Sequence, residues 1–284
     1  MDDGKRLSAG LLILTASLAT VSCGGGGGGD GGGSSPTSAK PMASVLLAVE
    51  PEARLNVDVN PVRIALDPTG EYGLLGWVEV DRTSGQPAVF VQSISRGTRS
   101  TSTRVGPATG LSLVQPSPIL NPGETSKTTT TAIDSELALA ADASGNLLVA
   151  WARTDTTVTT YSLGGQSTSV SASAWANAFD PVTQTWRGAV KLGDPGTSVS
   201  RPSAAIGGDG KAFVVWRQTS SGGTSTIRRV EKNGGSTAWS APAIENQTGN
   251  LGAPSIALGG DGSGYIVWSD SSAGGGTVYL RPRQ

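Results

Sequence analysis

A short apolar stretch, a tight turn bearing Asp and Gly, and a second apolar stretch running up to a tryptophan recur four times along this chain, in segments 64–77, 139–151, 204–216 and 256–268. The turns contain Asp67 and Gly70, Asp142 and Gly145, Asp209 and Gly210, and Asp261 and Gly262; the tryptophans are Trp77, Trp151, Trp216 and Trp268. Gly accepts the positive φ that a tight hairpin requires and Asp bonds its own following backbone, so each segment predicts a β-hairpin. The glycine stands six residues before the tryptophan in the last three segments and seven before it in the first. Residues 147–149, 213–215 and 265–267 are continuously apolar rather than alternating. Such runs predict strands buried on both faces, the inner strands of something layered.

Each hairpin is followed by a further strand candidate, such as residues 170–179 or 226–230, and then by the related stretches 186–192 and 239–245, which both open on Trp. Four short strands per unit are the signature of a propeller blade. The unequal spacing of the units falls in Ser/Thr-rich segments, 97–131 and 154–169, which read as long loops. The last unit stops after its third strand at residues 277–281, while residues 43–50 look like an orphan strand. The expectation is an all-β protein, a β-propeller of about four blades of four antiparallel strands, with the N-terminal strand closing the last blade so that no long edge is left open. No helical period appears beyond the first residues, and an open array or stacked solenoid is the alternative architecture.

Composition removes several chemistries. The chain has no His and one Cys, so there is no imidazole base, no Ser-His-Asp system, no internal disulfide and no thiolate metal cage. Lys and Arg number 21 against 22 Asp and Glu, which leaves no global field to recruit nucleic acid. The chain begins with Lys5-Arg6, an apolar stretch over 7–21 and a small Ser22, the pattern of a signal peptide over 1–22. That stretch is short for a membrane span, which needs roughly 20 residues. Cys23 follows, then a tether over 23–42 containing two glycine runs, with an r.m.s. reach of about 20 to 25 Å. Residues 43–284 form the repeat domain.

Signal, cysteine and tether together resemble a bacterial lipoprotein, with Ala19-Thr20-Val21-Ser22 in the lipobox place, although Thr20 stands where Leu is usual. The resemblance implies lipid attachment, of the palmitate type, at Cys23. Because Gly24 replaces the Asp that commonly retains lipoproteins in the inner membrane, it also implies an outer-membrane, cell-envelope location. The body, from about residue 61 onward, is similar to bacterial lipoproteins that carry sialidase-like propeller repeats, most closely at 142–151 with Trp175 and Trp186. It departs from the Asp-box proper, because each tryptophan ends a strand instead of following the turn. The arginines Arg63, Arg201, Arg228 and Arg229 are scattered, so no catalytic residue carries over from the resemblance.

The four turn aspartates suggest calcium, but a calcium site takes six to eight oxygens from one locus, whereas these fall one per repeat at radially separated turns. The turn role accounts for them, and no metal or cofactor is expected. Glycoside cleavage needs two carboxylates about 5 to 10 Å apart. Glu79, Asp81, Glu136, Asp194 and Glu245 have no turn role in the sequence pattern, and nothing in the sequence brings two of them together. The four repeated tryptophans read as packing between blades, which leaves Trp175, Trp186 and Trp239 as the aromatics to face a ligand. The expected function is a binding or scaffolding module, not an enzyme, with a glycan or envelope protein as partner. A hydrolase with an unrecognised carboxylate pair and a purely structural envelope protein are the rivals.

Overall fold

The computed structural model describes residues 62–107, 112–116, 125–246, 249–272 and 276–283, and among these there is no helix. Cys23, the tether and the strand expected over 43–50 lie outside the described residues. Four antiparallel sheets follow one another along the chain. The first holds β1 (Arg63–Leu66), β2 (Tyr72–Val80), β3 (Pro87–Ser95), β4 (Thr98–Arg99) and β5 (Thr103–Arg104). The second holds β6 (Ser112–Pro116), β7 (Thr125–Ala141), β8 (Leu147–Tyr161), β9 (Gln166–Asp180), β10 (Thr185–Trp186) and β11 (Val190–Lys191). The third holds β12 (Ser198–Ile206), β13 (Ala212–Thr219), β14 (Ser225–Lys232) and β15 (Ala243–Asn246). The fourth holds β16 (Ser255–Leu258), β17 (Gly264–Asp270) and β18 (Thr277–Arg283). All four hairpins expected from the repeat are present, each pairing the strand before the turn with the tryptophan-bearing strand after it.

The register explains the odd spacing of the first repeat. The residue that closes each turn is Gly73, Leu147, Ala212 or Gly264, and each tryptophan stands four residues beyond it. The extra residue is absorbed in the first turn, where Asp67 N donates to Tyr72 O, while the other turns close from Asp142 to Asn146, Gly207 to Lys211 and Gly259 to Ser263. Gly70, Gly145, Gly210 and Gly262 hold φ of 71, 83, 77 and 80°, the left-handed values that the turn needs and other residues resist. The aspartates act in two ways. Asp67 and Asp142 open their turns and accept from later backbone N–H groups, whereas Asp209 and Asp261 sit further on and accept from Lys211 N at 2.9 Å and Ser263 N at 3.0 Å. Successive turns touch: Gly145 lies against the Tyr72 ring, and at Gly208 an added Cβ would overlap the Gly260 carbonyl. The turns are therefore neighbours along one end of the array.

The strands do not stop at the tryptophans as expected, and parts of the Ser/Thr segments are strand instead of loop. Residues 125–131, 154–161 and 166–169 extend β7, β8 and β9 into a long hairpin arm. Thr128 faces Thr159 and Thr130 faces Thr157 across the β7–β8 ladder, each pair of hydroxyls 3.1 Å apart. β-Branched residues fit a pleated surface whether or not it is apolar, so a Thr-rich run forms strand here without an apolar face. The outer strands are shorter than four full strands per unit require. Gly188 splits the stretch 186–192 into β10 and β11, and of the second such stretch only residues 243–245 are strand, the start of β15. The fourth sheet has three strands among the described residues.

Between sheets, one rule repeats. The tryptophan-bearing face of each sheet packs on the opposite face of the sheet before it. Trp151 lies with Leu74, Val89 and Val91; Trp216 with Leu148 and Ala150; and Trp268 with Phe213 and Val215. Glu245 on β15 is also clamped by Arg229 at 2.7 Å and by Arg281 and Arg283 of β18, which locks the fourth sheet to the third. Trp151 and Trp216 are fully buried, whereas Trp77, which has no preceding sheet among the described residues, is half-buried and stacks on Phe90 at 6.4 Å. Truncating a buried tryptophan costs about 3–5 kcal/mol through lost transfer energy and the cavity left behind. Trp216→Ala is expected to lose that much in denaturant melts and Trp77→Ala less than half of it; equal losses would contradict the rule.

Candidate functional site

A cleft of about 320 Å³ opens between the second and third sheets. Its floor is Leu148, Ala178, Ile206 and Ala212, and its polar rim is Asn146, Asp180, Arg187 and Lys232. The sequence separates these residues widely, and the packing of β9 on β12 and β13 brings them together. Gly188, at φ 102°, turns the chain between β10 and β11 so that Arg187 projects from the second sheet toward the β14–β15 loop of the third. Asn177 holds that turn, accepting from Gly188 N at 3.1 Å, while its own amide donates to Val105 O of the first sheet.

Two cations converge at the rim. The Ser236 carbonyl accepts from Lys232 Nζ at 3.1 Å and from Arg187 Nη1 at 3.3 Å. Arg187 Nη2 also pairs with Asp180 Oδ2 at 2.9 Å. Asp180 is held below the ordinary carboxylate range first by the Val182 N–H it accepts, with Thr183 N–H and the Arg187 charge acting in the same direction. Lys232 is buried, and loss of hydration together with the neighbouring Arg187 lowers its pKa against the weaker pull of Asp180. Two positive groups and one negative therefore meet over an apolar floor, an excess of one positive charge beside a space large enough for a small-molecule group. Such a rim can hold an anion by charge-assisted hydrogen bonds.

The aromatics singled out from the sequence sit around this cleft and away from it. Trp186 packs edge-on against Phe179, 5.5 Å between centroids, and both rings pack on the cluster that contains Trp151, on the face of the second sheet turned toward the first. Trp239 packs, half-buried, against the core cluster that contains Leu148 and Ala212. Trp175 lies elsewhere, stacked on Trp151 at 6.4 Å with the Arg153 guanidinium 5.5 Å from its ring. The carboxylates considered for glycoside cleavage also disperse. Asp81 proves to have a turn role after all, accepting from Thr83 N and Ser84 Oγ, and it pairs with Arg104 at 3.1 Å. Glu245 is committed to three arginines, and Glu136 accepts from Arg201 N. Among the described residues no group of three or more metal-ligating side chains comes together.

One carboxyl that the sequence did not mark has unusual chemistry. Asp134 on β7 is fully buried, accepts from Trp151 Nε1 at 3.0 Å and lies 4.0 Å from Arg153. Burial pushes its pKa up to about 6, outweighing the Arg153 charge and the Trp151 bond. The value suits a general acid, but the side chain has no exposure and lies outside the cleft, beneath the strap 105–107, so its role is to seat Trp151. A carboxyl with a raised folded pKa stabilises most below about pH 4 and loses that contribution as pH rises through about 6. Urea melts should therefore show Asp134→Asn gaining about 3 kcal/mol on the natural chain between pH 4 and pH 7; a difference independent of pH would contradict the burial argument.

No family model matches the chain, and no curated protein matches it. Solved structures with some likeness include a Hadza microbial sialidase at 11% identity, covering 79% of this chain and 44% of that one, with a TM-score of 0.46. An endo-arabinase from Bacteroides thetaiotaomicron is 12% identical over 81% of this chain and 95% of its own, with a TM-score of 0.34. The polysaccharide lyase Uly1 is 7% identical over 79% and 58%, with a TM-score of 0.31. The chain spans less than half the length of the sialidase.

Proposed function

We propose that this chain is a binding module without catalytic activity, exported and lipid-anchored at Cys23 on the outer membrane, whose four sheets act as propeller-type blades and whose inter-sheet cleft holds an anionic group of its ligand. The observation that carries the proposal is the convergence of Lys232 and Arg187 on the Ser236 carbonyl at the mouth of an apolar cleft. Desolvating a lysine beside an arginine costs free energy, and an anion received there would recover it. The apolar floor of Leu148, Ala178, Ile206 and Ala212 lies next to the charges, which suits a sugar ring or similar group with an apolar face that also carries a carboxylate. A glycan or peptidoglycan fragment from the envelope combines these two features. Hydrolysis finds no support in the cleft, since Asp180 is its one carboxylate and is held ionised by its own turn and Arg187.

The test is calorimetric titration of the full chain with uronate-bearing oligosaccharides and peptidoglycan fragments beside their uncharged counterparts. The charged ligands are expected to bind and the neutral ones not. Lys232→Gln removes a charge-assisted bond of about 1.5–3 kcal/mol and should weaken binding tenfold or more. Affinity should also fall as pH rises through the lowered pKa of Lys232, before an exposed lysine would titrate. Binding indifferent to Lys232→Gln, or release of cleaved product, would overturn the proposal. For the anchor, Cys23→Ser is expected to move the chain from the membrane to the soluble fraction in a Gram-negative host; a variant still in the membrane fraction contradicts lipidation.

A further inference from the structure

The two ends of the sheet array carry faces that the repeat elsewhere buries. In the first three sheets, the residue just after the turn-closing position is Leu74, Leu148 or Phe213, and all three are fully buried beneath the next sheet. Tyr265 holds that position in the fourth sheet and is 52% exposed. Register places Val267 opposite Leu280 and Ser269 opposite Val278 on the same face, and Val278 and Leu280 are 70% and 62% exposed. The first sheet shows the converse only at its outer strand and its tryptophan. Its tryptophan-bearing face holds Ile64 and Leu66, opposite Leu75 and Gly73; Ile64 and Leu66 are exposed and Trp77 is half-buried, while Leu75 and Ile94 on that face are buried.

These two faces are the halves of the junction made three times inside the chain. Each internal junction seats a tryptophan-bearing face on the face that carries the residue after the turn. A fourth junction of the same kind would seat Ile64, Leu66 and Trp77 on Tyr265, Val267 and Leu280. Stacked arrays need polar outer faces at their ends to remain soluble, and both ends here are apolar. Within one chain the two faces are exposed together, so they do not cover each other.

We infer that a second copy of this chain covers them, the fourth sheet of each copy packing on the first sheet of the other. The contact is heterologous, and two such contacts close a ring of eight sheets in a dimer without leaving an apolar end. It adds no new kind of interface, because Tyr265 and Leu280 of one copy receive Trp77 and Ile64 of the other as Phe213 and Val215 receive Trp268 within the chain.

Sedimentation velocity on the full chain carrying Cys23→Ser, which removes any lipid, tests this across a concentration series. A dimer is expected. Leu280→Lys and Ile64→Lys, both at exposed positions and with their folding checked by near-UV circular dichroism, should each weaken association at least fivefold. A smaller effect from either variant overturns the proposal, because a head-to-tail contact needs both faces. A chain monomeric at all concentrations also overturns it, and indicates that residues of the same chain cover the faces.

Discussion

The structure depends on one constraint: its inner strands are apolar on both sides, so neither face of a sheet can be left in water. A strand such as β13, with Phe213 and Val215 on one face and Val214 and Trp216 on the other, must have a sheet in front and a sheet behind. That requirement orders the four sheets along the chain and fixes the direction in which each faces. It also makes each tryptophan the contact that joins one sheet to the last, since its ring covers more apolar surface than any neighbour. The glycine turns serve the same end. Gly207 and Gly208 carry no side chain to hold the third and fourth turns apart, so the sheets can approach as closely as their cores require.

What the sequence made legible was local. The four hairpins and the third strands follow from turn chemistry and apolar runs, each contained within a few residues. The Thr-rich arm was not legible, because its strands carry hydroxyls on both faces and lack the apolar signature that separates strand from loop. The cleft was hidden for a different reason. Arg187 and Lys232 are each unremarkable where they stand in the chain, and only the packing of two sheets brings both to Ser236. Asp134 likewise looks like any strand aspartate until Trp151 and the strap 105–107 close over it.

The same glycines that make the fold also place its chemistry. Gly188 breaks what would be a continuous outer strand, and the break is what frees Arg187 to cross to the next sheet. Asn177 then holds the break in position by joining it to the first sheet through Val105. The rim of the cleft is thus built on irregular backbone supported from a regular sheet, with both cations held by the Ser236 carbonyl and only Arg187 paired with a carboxylate, Asp180. That arrangement leaves positive charge unneutralised while keeping it rigid.

The hairpin arm of β8 and β9 has a further consequence. None of residues 154–161 is buried, and the arm is ruled by paired rungs such as Thr128 with Thr159 instead of by a core. At about 3.3 Å per residue, those eight residues carry the tip at Leu163 roughly 25 Å beyond the packed part of the sheet. Sequence change at the tip is therefore mechanically insulated: the rungs nearest the base pass little of it on, and the core clusters do not meet it. A chain built this way can alter what it presents at the end of the arm while the stacked sheets beneath remain as they are.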